Sequence, residues 1–580
     1  MAHATTTRWP MTYPDQVPFQ QLLDALVKCI AGVIAMGLVM LLFRQKLEDV
    51  FASSEKALSR FAQRKTLAVA SVFVGVIVVR LAVLPLLPVP VPTIHDEASY
   101  LLMADTFAHG RLANPPHEMW KSFETFHTNW FPKYASMYPP AQGAALALGQ
   151  LLGHPWIGVL LSNAAMCAAI LWMLQAYLPA RWALLGGVVA ACKLGIASYW
   201  MNSYWGGAMA ALGGALVLGA LARLLRRAKI GDAILLGIGV AILANSRPYE
   251  GAILCIPAAG YFFWWLVGKT GGTEAVATRI KKALVPVAAI LILTVVFMGY
   301  YNWSLTGNPA LFPHRLNAST YNTPPLFLWQ HPAPPMEYRN AQFSDFYNDW
   351  ARNEYRGTWS DVWKVSLQKT ARFAFAYSWQ GILIVLPGFY CVFRDRKMRF
   401  LLATLFLVAV SLYLVVWSNA HYAAPITCIL FALQVQAIRH IRQMRVAGIR
   451  VGVMLSRTAI LLLLIGTFNN VSARSCDTLL WTCAGNQNRA AIVKKLRSLP
   501  GKHLVMVRYS DDHNIHEEWV FNGADLDGAK VLWARELDDK EQNAKLLTYY
   551  ADRTVWLVQP DEAPSEIVPY TPVDSPADKP

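Results

Sequence analysis

Long apolar runs separated by short polar segments fill the chain from about residue 20 to residue 470. About twelve of them approach the ~20 residues that a helix needs to cross a bilayer. They cover roughly 20–43, 66–88, 155–178, 182–199, 206–225, 230–246, 251–268, 284–301, 374–393, 400–417, 421–437 and 451–469. The segment 44–65 is amphipathic and is predicted to lie along a membrane surface. Ala141–Gly153 is too short to span and too apolar for free water, so it is predicted to dip into the bilayer or lie on it. Beyond residue 470 the pattern changes to short strand-like runs, His503–Arg508 and Thr554–Val558, with Val531–Trp533 a further candidate. Lys540–Ala551 reads as a helix between them. That order predicts a small α/β domain at about 485–565, followed by a loosely ordered Pro/Asp/Ser-rich end, 561–580.

Basic residues give the orientation. They cluster in the 44–65 segment (Arg44, Lys46, Lys56, Arg60, Arg64, Lys65) and around Arg223–Lys229, Lys269–Lys282, Arg394–Arg399 and Arg439–Arg450. All five groups fall on one side if the spans are counted correctly, so that side is the cytoplasm. The loops 89–154 and 302–373 and the tail are then outside. Polar Met1–Gln20 and the length of the first apolar run argue against a cleavable signal.

The 580 residues are 55% hydrophobic and 15% charged, with mean hydropathy +0.32, which excludes an ordinary soluble enzyme. The net charge of +16 does not indicate nucleic acid, because the basic residues sit in loops between spans. Six cysteines fall in or beside spans. Cys476 and Cys483 lie together in the outside tail, where a disulfide is permitted. The expected fold class is an α-helical polytopic membrane protein with a small C-terminal extracytoplasmic α/β domain. Its parts are 1–65, an N-terminal span and surface segment; 66–470, the main transmembrane body; and 471–580, the tail.

Candidate chemistry concentrates outside. Asp96 and Glu97, in Pro92-Thr-Ile-His95-Asp96-Glu97-Ala-Ser-Tyr100, directly follow a span. Ionised groups at a bilayer rim are costly and usually functional. The bland reading is that Asp96 caps the helix starting near Ala98. Arg247 stands in a turn between two spans. It suits bidentate phosphate binding, or a salt bridge to Glu250. Lys193 falls within a span, where a lone charge is expensive. Tyr199–Gly207 could line a sugar site, although a plain aromatic belt is the simpler reading. The Trp-rich loop 302–373 has the same two readings. His95, His109, His117 and His127 match no ligand spacing. Asp511-Asp512-His513…His516-Glu517-Glu518 could bind a divalent cation or be a solvated acidic loop.

Asp96-Glu97-Ala-Ser-Tyr100 after a span, then Met103-Ala104 and Gly110-Arg111, resembles the first outside loop of GT-C glycosyltransferases. It is closest to the branch of protein O-mannosyltransferases and lipid A aminoarabinose transferases. Tyr138-Pro139-Pro140 is similar to that branch's Lys-Pro or Pro-Pro motif, with Tyr138 where Lys or His often stands and Lys133 the nearest lysine. His421-Tyr422-Ala-Ala-Pro425 is similar to its Arg-Tyr-x-x-Pro. The resemblance covers roughly 66–470 and leaves the tail without a counterpart.

The resemblance implies a GT-C-like fold and a sugar donor carried on a polyprenyl phosphate, with the first-loop Asp as base. Asp96 is then the expected general base, and Glu97 holds a second acceptor hydroxyl or orients the loop. Lys133, Arg247 and His421 are the expected phosphate groups, with His95, Tyr100, Tyr138, Tyr249 and Tyr422 as further substrate-binding candidates. The acceptor is a glycan, lipid or protein outside a bacterial inner membrane. The near branch mostly works without metal, and no cofactor is firmly expected, though a divalent cation would fit some relatives. The alternative is a transporter or flippase of lipid-linked saccharides. Against it stand the absence of a clear repeat between the halves and the large outside loops.

Overall fold

The computed structural model describes residues 19–268, 274–355, 357–379, 381–474, 485–562 and 566–571. Every one of the twelve apolar runs contains helix. Among the described residues, seven helices are long and apolar enough by length and composition to cross a membrane, or nine if two bent pairs each count as one span. Ala208–Leu224 and Ile230–Ala244, with 17 and 15 residues, are shorter apolar helices. The run 182–199 divides into the helix Ala180–Ala190 and a π-helical turn, Ala191–Ile196. The run 374–393 is broken, since Trp359–Tyr377 and Ile382–Arg394 meet at 105°. The helix Lys65–Ala82 stops short of residue 88, because Pro85, Pro88, Pro90 and Pro92 cannot continue it. The amphipathic helix Arg44–Gln63 lies at 102° to the first span, as a surface helix would.

Small residues let the helices close up. A Cβ on Gly149 would meet the backbone nitrogen of Gly158 at 2.2 Å, and one on Gly158 would meet the Ala145 carbonyl oxygen at 2.0 Å. The helices Pro140–Leu151 and Pro155–Tyr177 therefore cross backbone to backbone. The short apolar segment at Ala141–Gly153 is thus a packed helix, lying also against His95–Ala108.

The loops 89–154 and 302–373 carry secondary structure of their own. A two-stranded hairpin, β1 Thr128–Asn129 and β2 Ala135–Ser136, sits in the first loop. The long loop carries helices Pro313–Tyr321 and Trp359–Tyr377, with a helical stretch 341–354 between them. Trp359 and Trp363 are exposed, as membrane-interface residues would be, whereas Trp350 is buried in an aromatic cluster.

The described part of the tail combines a small sheet with helices. Its strands β3 Lys502–Val507, β4 Val531–Arg535, β5 Arg553–Val558 and β6 Ile567–Pro569 stand in the order β4-β3-β5-β6. The first three are parallel and β6 is antiparallel. Alternation along β3 buries both faces. Val505 and Val507 pack with Ile492 and Leu496 of the helix Gln487–Ser498. Leu504 and Met506 join Leu546 of the helix Lys540–Tyr549 and, from the first loop, Leu102, Phe123, Trp130 and Tyr134. The tail and first loop thus share one apolar core. Cys29, Cys167, Cys192, Cys255, Cys391 and Cys428 are free thiols, and the expected Cys476–Cys483 pairing lies outside the described residues.

Candidate functional site

Glu97, not Asp96, secures the start of the helix His95–Ala108. Its Oε2 accepts the N–H groups of Thr93 (2.9 Å) and Ile94 (3.3 Å), and its Oε1 accepts that of Tyr204 (3.0 Å). The side chain is buried, and burial pushes its carboxyl up to about 7 against these three donors. Of the two roles expected for Glu97, holding an acceptor hydroxyl or orienting the loop, these contacts are of the second kind: they pin the helix start to the 199–207 turn. Asp96 is released from capping and faces the cleft.

The Asp96 carboxylate accepts a hydrogen bond from Tyr138. The His95 Nδ1 lies 3.4 Å and the His127 Nε2 3.8 Å from its Oδ2. Each neighbour is placed by local structure. Pro139 is extended and Pro140 opens the next helix, which fixes Tyr138 at the helix entrance. The Tyr138 ring stacks on Tyr100 at 4.4 Å. His127 precedes β1 with φ +58, a left-handed conformation uncommon outside glycine. Its carbonyl is held by the Ser99 hydroxyl (2.7 Å) and the Met137 N–H (3.1 Å). Strain of this kind concentrates at functional sites.

Burial raises the Asp96 carboxyl, but His127, His95 and Tyr138 outweigh it and hold the group below the usual carboxylate range. Burial pushes His127 down to about 3. At neutral pH the site is a carboxylate beside a neutral imidazole. His95, Asp96 and His127 bring three ligand atoms within 4.8 Å of one another, and beyond the Asp96 carboxylate neither His95 ring nitrogen has a hydrogen-bond partner among the described residues. That donor set fits a divalent cation such as Zn²⁺. His109 and His117 turn elsewhere, toward Asp105 and Asp527.

A second wall carries the cationic groups. Arg247 precedes Pro248, the first residue of the helix Pro248–Val267. Its guanidinium lies 4.1 Å over the Tyr422 ring. The turn is tied to the Tyr138 motif, because the Ala141 N–H donates to Asn245 O at 2.8 Å. The charges of both Arg247 and Asp96 bear on Tyr100, His421 and Tyr422. His421 is buried, with its Nδ1 3.0 Å from the Tyr199 hydroxyl and its ring 4.5 Å from Trp205. Gly214 admits this segment: a Cβ there would meet Pro425 O at 1.9 Å.

The structure thus assembles His95, Asp96, Tyr100, Tyr138, Arg247, His421 and Tyr422. Two expected residues stand apart. Lys133 is exposed in the turn between β1 and β2 and has no contact with Asp96 among the described residues. Tyr249, two residues beyond Arg247 on a helix, turns to Ser411 O (3.3 Å) and Phe327. Lys193 is buried in the π-helical turn, with its Nζ 5.9 Å from the Phe375 ring. Tyr199, Trp200, Tyr204 and Trp205 are all buried, so this hairpin is core around His421 and Glu97 and not a membrane belt.

Sequence reasoning missed His127, His314 and His516 as site groups. His314, on the long loop, is close enough for its charge to bear on His127. His516 comes from the tail, on the loop following β3. Ile515 packs into the aromatic cluster of the long loop, and the His516 ring lies 4.6 Å from Trp350 and 6.4 Å from His95. Burial pushes it down to about 3. The other imidazole in that motif, His513, is held within the tail by Asp561 (2.7 Å) and Glu517 O (2.9 Å). Only the paired histidines in Asp511–Glu518 hinted at this contribution.

No protein-family model matches the chain, and no curated protein sequence does. Among solved structures it is similar to the Archaeoglobus fulgidus oligosaccharyltransferase tethered with an acceptor peptide, at 13% identity and TM-score 0.47 over 85% of this chain and 69% of that one. The same enzyme in complex with Zn and sulfate matches at 13% identity and TM-score 0.44, over 84% and 68%. ArnT from Cupriavidus metallidurans in the apo state matches at 11% identity and TM-score 0.44, over 84% of this chain and 92% of that one. Both proteins are GT-C glycosyltransferases.

Proposed function

We propose that the protein is a membrane glycosyltransferase that moves a sugar from a polyprenyl-phosphate donor to an extracytoplasmic acceptor hydroxyl with inversion. The observation that carries this reading is Asp96, left out of the helix cap and held by Tyr138, with Arg247 on the turn that the Ala141 N–H ties to the Tyr138 motif. Asp96 takes the acceptor's proton as its oxygen attacks the anomeric carbon. The bond from that carbon to the phosphate oxygen breaks on the opposite face, and the polyprenyl phosphate leaves with the electron pair. Arg247 receives the leaving phosphate, because a guanidinium matches it in charge and geometry. Tyr138 holds the carboxylate in place. A divalent cation held by His95, Asp96 and His127 would put positive charge on the acceptor side and ease loss of the acceptor hydroxyl's proton.

The test is transfer from a radiolabelled polyprenyl-phosphate sugar by purified protein. Cleavage of the donor with release of polyprenyl phosphate supports the reading. Movement of intact donor across a vesicle bilayer without cleavage would support the transporter class instead.

A further inference from the structure

The helix Ala208–Leu224 begins beside the His421 segment and, at ~1.5 Å per residue, carries the chain about 25 Å away from it. At its far end, where it turns into the helix Ile230–Ala244, there is a cavity of about 760 Å³. Arg223, Arg226, Arg227 and Lys229 line it, with Asp232 as the one carboxylate in the lining.

Two of these cations are held in place. Arg223 donates to Gly219 O (2.8 Å) and Trp172 O (2.7 Å) and stacks 3.8 Å over the Trp172 ring. Arg226 donates to Ala176 O. Arg227 and Lys229 are exposed. None of the four makes a salt bridge among the described residues. Other basic groups assigned to this side are satisfied internally: Arg442 and Arg457 pair with Glu48 and Glu55, and Arg279 binds the Trp265 and Gly268 carbonyls. Ile234 lines the cavity, and from there Ile230, Ile234 and Ile238, exposed by 52%, 38% and 36%, form one stripe along the outer face of the helix.

We propose that this cavity seats the headgroup of an anionic phospholipid. The phosphodiester lies among Arg226, Arg227 and Lys229, and an acyl chain follows the Ile230–Ile234–Ile238 stripe. Arg226, already held, loses little freedom on binding, and each basic group near a membrane surface adds attraction for anionic lipid. A free phosphate would use the cations but not the stripe.

The test uses full-length protein in a neutral detergent, titrated with dioctanoyl phosphatidylglycerol, dioctanoyl phosphatidylcholine or inorganic phosphate, and reads binding isotherms and the thermal midpoint. Saturable phosphatidylglycerol binding is expected, at least ~10-fold tighter than phosphatidylcholine. The triple variant Arg226→Gln/Arg227→Gln/Lys229→Gln should weaken it by at least ~10-fold. Arg227→Gln/Lys229→Gln keeps the Arg226–Ala176 hydrogen bond and changes only exposed side chains, so its lipid-free midpoint should be unchanged while phosphatidylglycerol binding still weakens. Ile234→Ser should weaken phosphatidylglycerol binding as well. Equal binding of the two lipids, full binding by the triple variant, or inorganic phosphate binding as tightly as phosphatidylglycerol would each overturn the proposal. None of these readouts depends on sugar transfer.

Discussion

Asp96→Asn separates catalysis from structure at this site. In the variant, Oδ1 still accepts from Tyr138. The amide nitrogen replaces Oδ2, 3.4 Å from His95 Nδ1 and 3.8 Å from His127 Nε2, and neutral imidazole nitrogens can accept from it. No buried group loses its partner, so the stability cost is expected to stay below about 1 kcal/mol. Loss of a general base costs roughly 10²–10⁴ in rate. At ~1.36 kcal/mol per tenfold, that is about 2.7–5.4 kcal/mol of barrier, well above the stability term. Transfer should therefore fall at least a hundredfold while the thermal midpoint and donor affinity stay near wild type. The wild-type rate should also hold from pH 8 down to about 5. A carboxyl held below its usual range keeps its charge as pH falls and loses it only below that range. Turnover within about threefold of wild type in Asp96→Asn would refute the base assignment, since even the low end of general-base effects is far larger. A wild-type rate that halves near pH 6.5 would point to an imidazole as base instead.

Three other outcomes follow from the contacts. Glu97→Ala strips acceptors from the buried N–H groups of Thr93, Ile94 and Tyr204, at about 1–3 kcal/mol for each one left dry; hydrogen exchange at those amides should speed up and the midpoint should drop, and a wild-type exchange pattern would return Glu97 to the catalytic set. His516→Ala should cut transfer to native membrane acceptors about tenfold, the worth of one hydrogen bond, while hydrolysis of the donor stays within about twofold; equal loss of both would place His516 with the donor machinery. If His95, Asp96 and His127 hold a cation, chelation should lower the rate and Zn²⁺ should restore it, and His127→Ala should lower Zn²⁺ affinity in a direct titration; a chelated enzyme that runs at full rate would leave the triad metal-free.

The apolar pattern located helices well because burial in lipid or core demands it at every turn. It does not report bends, because periodicity says nothing of them: the 105° break after Tyr377 falls inside the apolar run 374–393. In the site, Asp96 was legible as an acid with no reason to sit at a membrane rim. Its division of labour with Glu97 was not, since neighbouring carboxylates differ only in which backbone groups they meet. Arg247 was legible because Pro248 fixes the turn. Tyr249 was misjudged because two residues along a helix is a rotation of ~200°. Lys133 was favoured for its charge, yet it stands in an exposed hairpin turn. His127 and His516 reach Asp96 across 31 and 420 residues of chain, and no local pattern reports such contacts.

How the tail attaches determines how its role can be tested. Asp105 lies on the same helix as Asp96, nine residues on, about 14 Å along the axis. It accepts Gln150 Nε2 and the tail's Ala524 N–H, both at 2.7 Å. Arg535 of the tail donates to Gln342 of the long loop at 2.7 Å. The tail also covers Leu102, which lies on the Asp96 helix itself, together with Phe123, Trp130 and Tyr134. Removing residues 485–580 would expose that apolar cluster and strip Asp105 of a partner. A truncated protein could then lose transfer because the helix under Asp96 shifts, whatever the tail does for the acceptor. His516→Ala leaves every one of these attachments intact and removes one ring from the cleft. A wild-type midpoint with selective loss of transfer in His516→Ala would show that the tail acts through that imidazole. If His516→Ala transfers at the wild-type rate while Asp105→Asn lowers both transfer and donor hydrolysis, the tail serves as a clamp on the helix that carries Asp96.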